Sequence, residues 1–141
     1  MNTKELRLGN FINRRYWNSE PNNEKYCTEV NVVTWISPSN INVSPIISKE
    51  KFRIAKDDIL PAELTEYWVR KFGFTHIENK TYIIDDGNYE VQFFDDCIRF
   101  YIAAYMDSPP SVEIKYIHEL QNLYFFLSGK ELKIKESCHL F

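Results

Sequence analysis

Short runs of β-branched and aromatic residues, separated by turn-forming residues, are the feature that most limits the fold of this chain. The segment YCTEVNVVTWI, residues 26–36, is followed by the turn SPSN and then by INVSPII, residues 41–47. β-branched and aromatic residues favour strands, whereas Pro, Ser and Asn favour turns. Further along, Asp86-Gly87 is a pair typical of a two-residue hairpin loop. Short strands joined by such turns predict an antiparallel sheet.

Two segments have the pattern of a helix instead. Residues 64–73 place Leu64, Trp68 and Phe72 four positions apart, which aligns them on one face of a helix. Residues 116–128 repeat this spacing over a longer stretch and are followed by a glycine. We therefore expect an α+β fold, with a mostly antiparallel curled sheet or small barrel of about eight short strands and two helices.

The length of 141 residues favours a single domain spanning residues 1–141. Within it we expect a β-rich, barrel-like half over residues 1–60. A second half over residues 61–136 should contain a helix, a β-meander and a second helix. Residues 137–141 are expected to form a loose tail.

The cysteine pattern and the hydropathy of the chain indicate the cellular compartment of the protein. Cys27, Cys97 and Cys138 are odd in number and form no C-x-x-C pair, which argues against a disulfide framework and for a reducing compartment. The N-terminal residues MNTKELRLGNF have no apolar run typical of a signal peptide. No segment approaches the ~20 apolar residues of a membrane helix. We expect a cytoplasmic protein without a membrane partner.

Motifs that carry catalysis, metal binding or phosphate binding are missing from the sequence. His76, His118 and His139 are far apart, and neither H-E-x-x-H nor a Cys/His cluster occurs. The sequence also contains no G-x-S-x-G, Walker A or G-x-G-x-x-G motif. We therefore expect no catalytic residues, no metal and no cofactor, and an enzyme of unrecognised type is the least favoured alternative.

Acidic residues are concentrated in the middle of the chain. Residues 61–110 contain nine Asp and Glu against four Lys and Arg. Two acidic pairs, Asp85-Asp86 and Asp95-Asp96, flank the strand segment YEVQFF and should lie at its opposite ends, which argues against one acid/base site. They are interpreted either as solvated turns or as an acidic patch that meets a basic partner.

The segment NRRYWN, residues 13–18, is the stretch best suited to nucleic acid. Arg14 and Arg15 suit phosphate contacts, while Tyr16 or Trp17 suits stacking on a base. One basic pair is a small patch, however, and the net charge is −3, whereas nucleic-acid binders are normally basic. A small RNA-binding module is therefore an alternative function, and the competing interpretation is an ordinary strand end.

The helix over residues 116–128 has more apolar residues than one core-facing stripe needs. Residues within about 60° of Leu120 form that stripe: Tyr116, Ile117, Leu123, Tyr124 and Leu127. On the same helical wheel His118, Asn122 and Phe125 point away from it, and Phe126 lies on one flank. Either another part of the chain covers the two Phe residues, or these four residues contact a partner through an aromatic ridge.

Three segments, KELRLGNFI, LTEYWVRKFGF and IKYIHELQNLYFFLSGKEL, together resemble a family of small phage and prophage proteins of Bacteroidota-type hosts. The resemblance implies a phage accessory protein in the cytoplasm of the infected bacterial host. Small proteins of that kind are often inhibitors of host defence, including anti-CRISPR proteins. By analogy, we expect a noncatalytic protein that binds a host protein, with an RNA-targeting (type VI) CRISPR nuclease as the suggested target.

Overall fold

The computed structural model describes residues 1–46 and 50–135 and divides the chain into two compact units, Met1–Ala62 and Glu63–Phe141. Each unit contains a five-stranded antiparallel sheet, and neither sheet is closed into a barrel in the described residues. The expected α+β class with two helices is confirmed. The barrel alternative is not adopted. The expected single domain stays a prediction, and the predicted tail, residues 137–141, lies outside the described residues.

The first unit consists of a sheet in the order β4-β3-β2-β1-β5. Its strands are β1 (Phe11–Asn18), β2 (Lys25–Ile36), β3 (Asn40–Pro45), β4 (Phe52–Ala55) and β5 (Ile59–Leu60). Alternate side chains along a strand point to the same face, so the apolar positions gather on one side. The core cluster on that side comprises Leu6, Ile12, Val33, Ile41, Val43 and Ile59.

The second unit consists of a sheet in the order β10-β9-β8-β7-β6 and two helices. Its elements are α1 (Glu66–Lys71), β6 (Thr75–Glu78), β7 (Thr81–Ile84), β8 (Tyr89–Phe93), β9 (Ile98–Ile102), β10 (Ser111–Ile114) and α2 (Ile117–Ser128). Tyr82, Val91 and Phe100 lie directly opposite one another on three neighbouring strands and are fully buried. Together they form the centre of this sheet's covered face.

The hairpin around Asp86-Gly87 is present, and its loop is the segment DDGN, residues 85–88, rather than the two residues of a type I′ turn. Ile84 pairs with Tyr89, so the loop has the four residues between them. Asp85 and Asp86 both have positive φ, as does Gly87. Aspartate tolerates this left-handed conformation better than most residues, which explains the composition of the turn.

The C-terminal end of α2 depends on Gly129. Its φ is 74°, and its backbone N–H donates to the Phe125 carbonyl oxygen at 2.8 Å. A Cβ at this position would meet nothing within 4 Å, so substitution introduces backbone strain alone.

We expect Gly129→Ala to lower the free energy of unfolding by about 1–2 kcal/mol, the strain of a left-handed residue with a Cβ. Urea unfolding measures this loss. Gly129→Asn is the control, and it should lose less because asparagine adopts positive φ more readily. An equal loss for the two variants would contradict the explanation by strain.

Candidate functional site

The buried side of helix α2 includes Ile117, Leu120 and Tyr124 of the predicted stripe but is rotated toward His118 and Gln121. The buried residues are Ile117, His118, Leu120, Gln121 and Tyr124. His118 is only 2% exposed, so the expectation that it lies on an outer face is wrong. Its ring stacks on Tyr116 with centroids 5.9 Å apart. A helical wheel built on apolar residues does not count buried polar residues, and for this reason it missed His118 and Gln121.

The remaining predicted contacts on α2 are exposed to different degrees. Phe126 is 84% exposed and Phe125 is 38% exposed, whereas Asn122 is half-buried. Only Phe126 therefore presents most of its ring at the surface. The role of these residues in binding a partner stays a prediction.

The two acidic pairs lie at opposite ends of β8, as expected, but Asp85 has a specific role. The Tyr124 hydroxyl donates to Asp85 Oδ2 at 2.7 Å, which links the β7–β8 turn to α2. Burial, followed by the hydrogen bond and the negative charge of Asp85, raises the pKa of Tyr124 to about 12. Asp86 is exposed, and the length of β8 separates the two acidic pairs, so they do not form one shared acid/base site.

An open cavity of about 410 Å³ lies beside the other acidic pair. Asp95, Asp96 and Glu113 line it together with Cys97. Burial, and then the charge of Asp96, raises the pKa of the Cys97 thiol, which favours the protonated form and makes it a poor nucleophile. In the described ranges no group of three or more His, Cys, Asp or Glu residues could hold a metal ion.

In the first unit, β1 and β2 continue past the rest of their sheet as a two-stranded extension, here called the hairpin arm (residues 15–18 and 25–28). β5 pairs only with Asn13 and Arg14 of β1, and β3 ends at Pro45, opposite Asn31 of β2. Proline has no N–H to donate to a ladder, which suits it to the end of a strand. The described strands therefore leave the arm without a neighbour on either side.

Both arginines at the base of the arm are neutralised by carboxylates. Arg14 Nη2 lies 3.0 Å from Glu29 Oε2, and its guanidinium sits 4.0 Å from the centroid of the Phe52 ring. Arg15 Nη2 lies 3.1 Å from Asp58 Oδ1. Glu29 is directly opposite Arg14 in the strand register, a neighbour that could be identified only once the register was known. Such pairing weakens the case for phosphate contacts.

Large aromatic side chains remain exposed on the arm. Trp17 is 52% exposed and Tyr26 is 64% exposed. The two residues are directly paired across the strands, and their rings meet edge to face with centroids 5.0 Å apart. The Arg15 guanidinium lies 5.1 Å from the Tyr26 centroid on the same side. We call Arg15, Trp17 and Tyr26 the aromatic face, and Tyr26 is the member that sequence reasoning missed.

Tyr16, the fourth residue of the predicted RNA-binding group, points to the opposite side of the arm from Trp17. It is exposed, and the Arg14 guanidinium lies 4.8 Å from its ring centroid. Strand alternation thus separates Arg14 and Tyr16 from Arg15 and Trp17. The four residues do not form one continuous binding surface.

Within the described ranges neither helix combines the length and apolar character that crossing a membrane requires. No family model matches the chain, and comparison with curated proteins and with solved structures gives no significant match.

Proposed function

We propose that the protein is a noncatalytic binding protein whose aromatic face docks onto a partner protein. The observation that carries the proposal is the contact between Trp17 and Tyr26, two large rings that remain more than half exposed. Aromatic anchors contribute much of the binding energy at protein interfaces. Rings already held against each other lose little conformational freedom on binding, which favours affinity.

A protein partner is favoured over RNA because of the charges around the aromatic face. Arg14 and Arg15 each lie within 3.1 Å of a carboxylate oxygen, so a phosphate would compete with an existing ion pair. The net charge of −3 also opposes a polyanion. RNA binding remains the alternative because Trp17 and Tyr26 have ring faces suited to base stacking.

The resemblance of three segments to phage proteins favours a host protein as the partner. We propose an inhibitor of a host RNA-guided nuclease, with a type VI CRISPR effector as the first candidate to test. The acidic stretch over residues 61–110 would steer the protein toward the basic nucleic-acid channel of such an enzyme. This identity rests on the resemblance and on charge complementarity.

The test compares variants in binding to a purified type VI effector and in capture of proteins from host lysate. We expect the double variant Trp17→Ala/Tyr26→Ala to weaken binding roughly 30-fold or more, as loss of an interface hot spot does. Trp35→Ala is the matched control, because Trp35 is an exposed tryptophan on β2 outside the arm. It should bind within about twofold of the wild type, given that most surface contacts contribute little.

Two outcomes would overturn the assignment of the aromatic face. Loss of binding in Phe126→Ala, but not in the double variant, would place the docking surface on α2. Salt-sensitive binding of single-stranded RNA that the double variant abolishes would favour the RNA-binding alternative, because phosphate contacts weaken steeply between about 50 and 200 mM salt. Fluorescence anisotropy with labelled RNA measures that second outcome.

A further inference from the structure

The outer edge of β2 has no partner among the described strands where it runs along the arm. Lys25–Val30 pair with β1 on one side, and no described strand pairs with them on the other. Every second residue of this stretch directs its backbone N–H and C=O groups to this outer edge. An open strand edge is a template for pairing with another strand.

We propose that this edge pairs antiparallel with the same edge of a second copy of the chain, with Cys27 on the two-fold axis. Lys25 then lies opposite Glu29 of the second copy, and Tyr26 lies opposite Thr28 of the second copy. A two-fold axis repeats each contact, so the interface is closed and self-complementary. Pairing at this edge does not depend on whether the aromatic face binds a partner.

The charges along KYCTE, residues 25–29, select this register. Lys25 and Glu29 are equally far from Cys27, so antiparallel self-pairing brings opposite charges together at both ends. Shifting the register by one residue places Lys25 opposite Val30 and separates the charges. Glu29 already accepts a hydrogen bond from Arg14 at 3.0 Å. Its carboxylate has further lone pairs, so it can also accept a hydrogen bond from Lys25 of the second copy.

Strand alternation determines what each side of the paired sheet presents. Lys25, Cys27 and Glu29 lie on one side, while Tyr26 lies on the other with Trp17. The two aromatic faces would therefore adjoin on a single side of one continuous sheet. The edge is short, so the interface is small and the association should be weak and concentration-dependent.

Disulfide trapping tests the register directly. Directly opposed residues in an antiparallel pair have Cα atoms about 4.5–5.5 Å apart, within the range of about 4.4–6.8 Å that a disulfide requires. In a Cys97→Ser/Cys138→Ser background, copper–phenanthroline should convert the two Cys27 thiols to a disulfide. Each bond formed releases two protons and passes one electron to each of two Cu(II) complexes, which are reduced to Cu(I).

The matched control moves the thiol by one residue, as Cys27→Ser/Thr28→Cys in the same background. In the proposed register the two control thiols are two residues out of alignment along the strands, about 7 Å, which a disulfide does not span without backbone movement. We expect covalent dimer to form at least tenfold faster through Cys27 than in the control. Equal rates would overturn the proposed register.

Charge reversal tests the ion pairs. Lys25→Glu should slow trapping through Cys27 about tenfold, because it places like charges opposite each other. Glu24→Lys reverses the neighbouring exposed charge, which lies opposite Val30 in this register, and should change the rate less than about twofold. Sedimentation equilibrium of the untrapped protein should show a mass rising above 16.9 kDa with concentration, and a constant monomer mass would overturn the proposal.

Discussion

Replacing Phe100 by alanine is expected to lower the free energy of unfolding of the second unit by about 3–5 kcal/mol. Phe100 is fully buried at the centre of β9, between Val91 on β8 and Val112 on β10. Its ring stacks on Tyr89 with centroids 5.7 Å apart. Truncation removes the buried ring and leaves a cavity that the paired strands cannot collapse to fill.

Phe126→Ala is the matched control for this loss, because it removes the same side chain from a position that is 84% exposed. It should change the free energy of unfolding by less than about 0.5 kcal/mol. Urea unfolding followed by Trp68 fluorescence, in a Trp17→Phe/Trp35→Phe background, reports on the second unit alone. Similar losses for the two Phe variants would mean that Phe126 is covered, and would count against a docking role for α2.

Stability is expected to fall above pH 10 because of Tyr124. Its pKa rises from 10.0 to about 12 in the folded protein, through burial and then the bond to Asp85. The unfolded phenol therefore ionises before the folded one, so this contribution is complete below pH 10 and is lost as the pH rises toward 12. Between about pH 9.5 and pH 11.5 it should account for a loss of roughly 2 kcal/mol.

Urea unfolding at the two pH values measures this loss as the difference between wild type and Tyr124→Phe. The variant lacks the phenol and should show a decline smaller than the wild type's by roughly 2 kcal/mol. Tyr105→Phe is the control, since it removes an exposed hydroxyl and should keep the wild-type decline. Parallel pH profiles for wild type and Tyr124→Phe would mean that folding does not raise the pKa of Tyr124.

The order of strands and helices was predictable because it follows from local preferences. The segment over residues 26–36 became β2, from Lys25 to Ile36, and the longer helical pattern became α2. β-branched and aromatic runs specify strands, and glycine ends a helix, without reference to the rest of the chain.

The candidate site was less predictable because it depends on pairs that are distant in sequence. Tyr82 shows this in the core: its hydroxyl donates to Glu66 Oε1 at 2.6 Å and accepts from Arg70 Nη2 at 2.9 Å. From the sequence alone, Glu66 and Arg70 are expected only to interact favourably with the dipole of a short helix, one at each of its ends. In the arm, likewise, Asp58 neutralises Arg15 from 43 positions further along the chain.

The sequence by itself determined the α+β class, the positions of the longer strands and of the two helices, and the separation of the two acidic pairs. Tertiary structure alone decided that His118 is buried, that Arg14 and Arg15 are paired with carboxylates, and that Tyr26 lies against Trp17. Periodicity reports which residues share a face of one element. What covers that face, and which charges meet, is set by strand register and by packing between elements that local sequence does not encode.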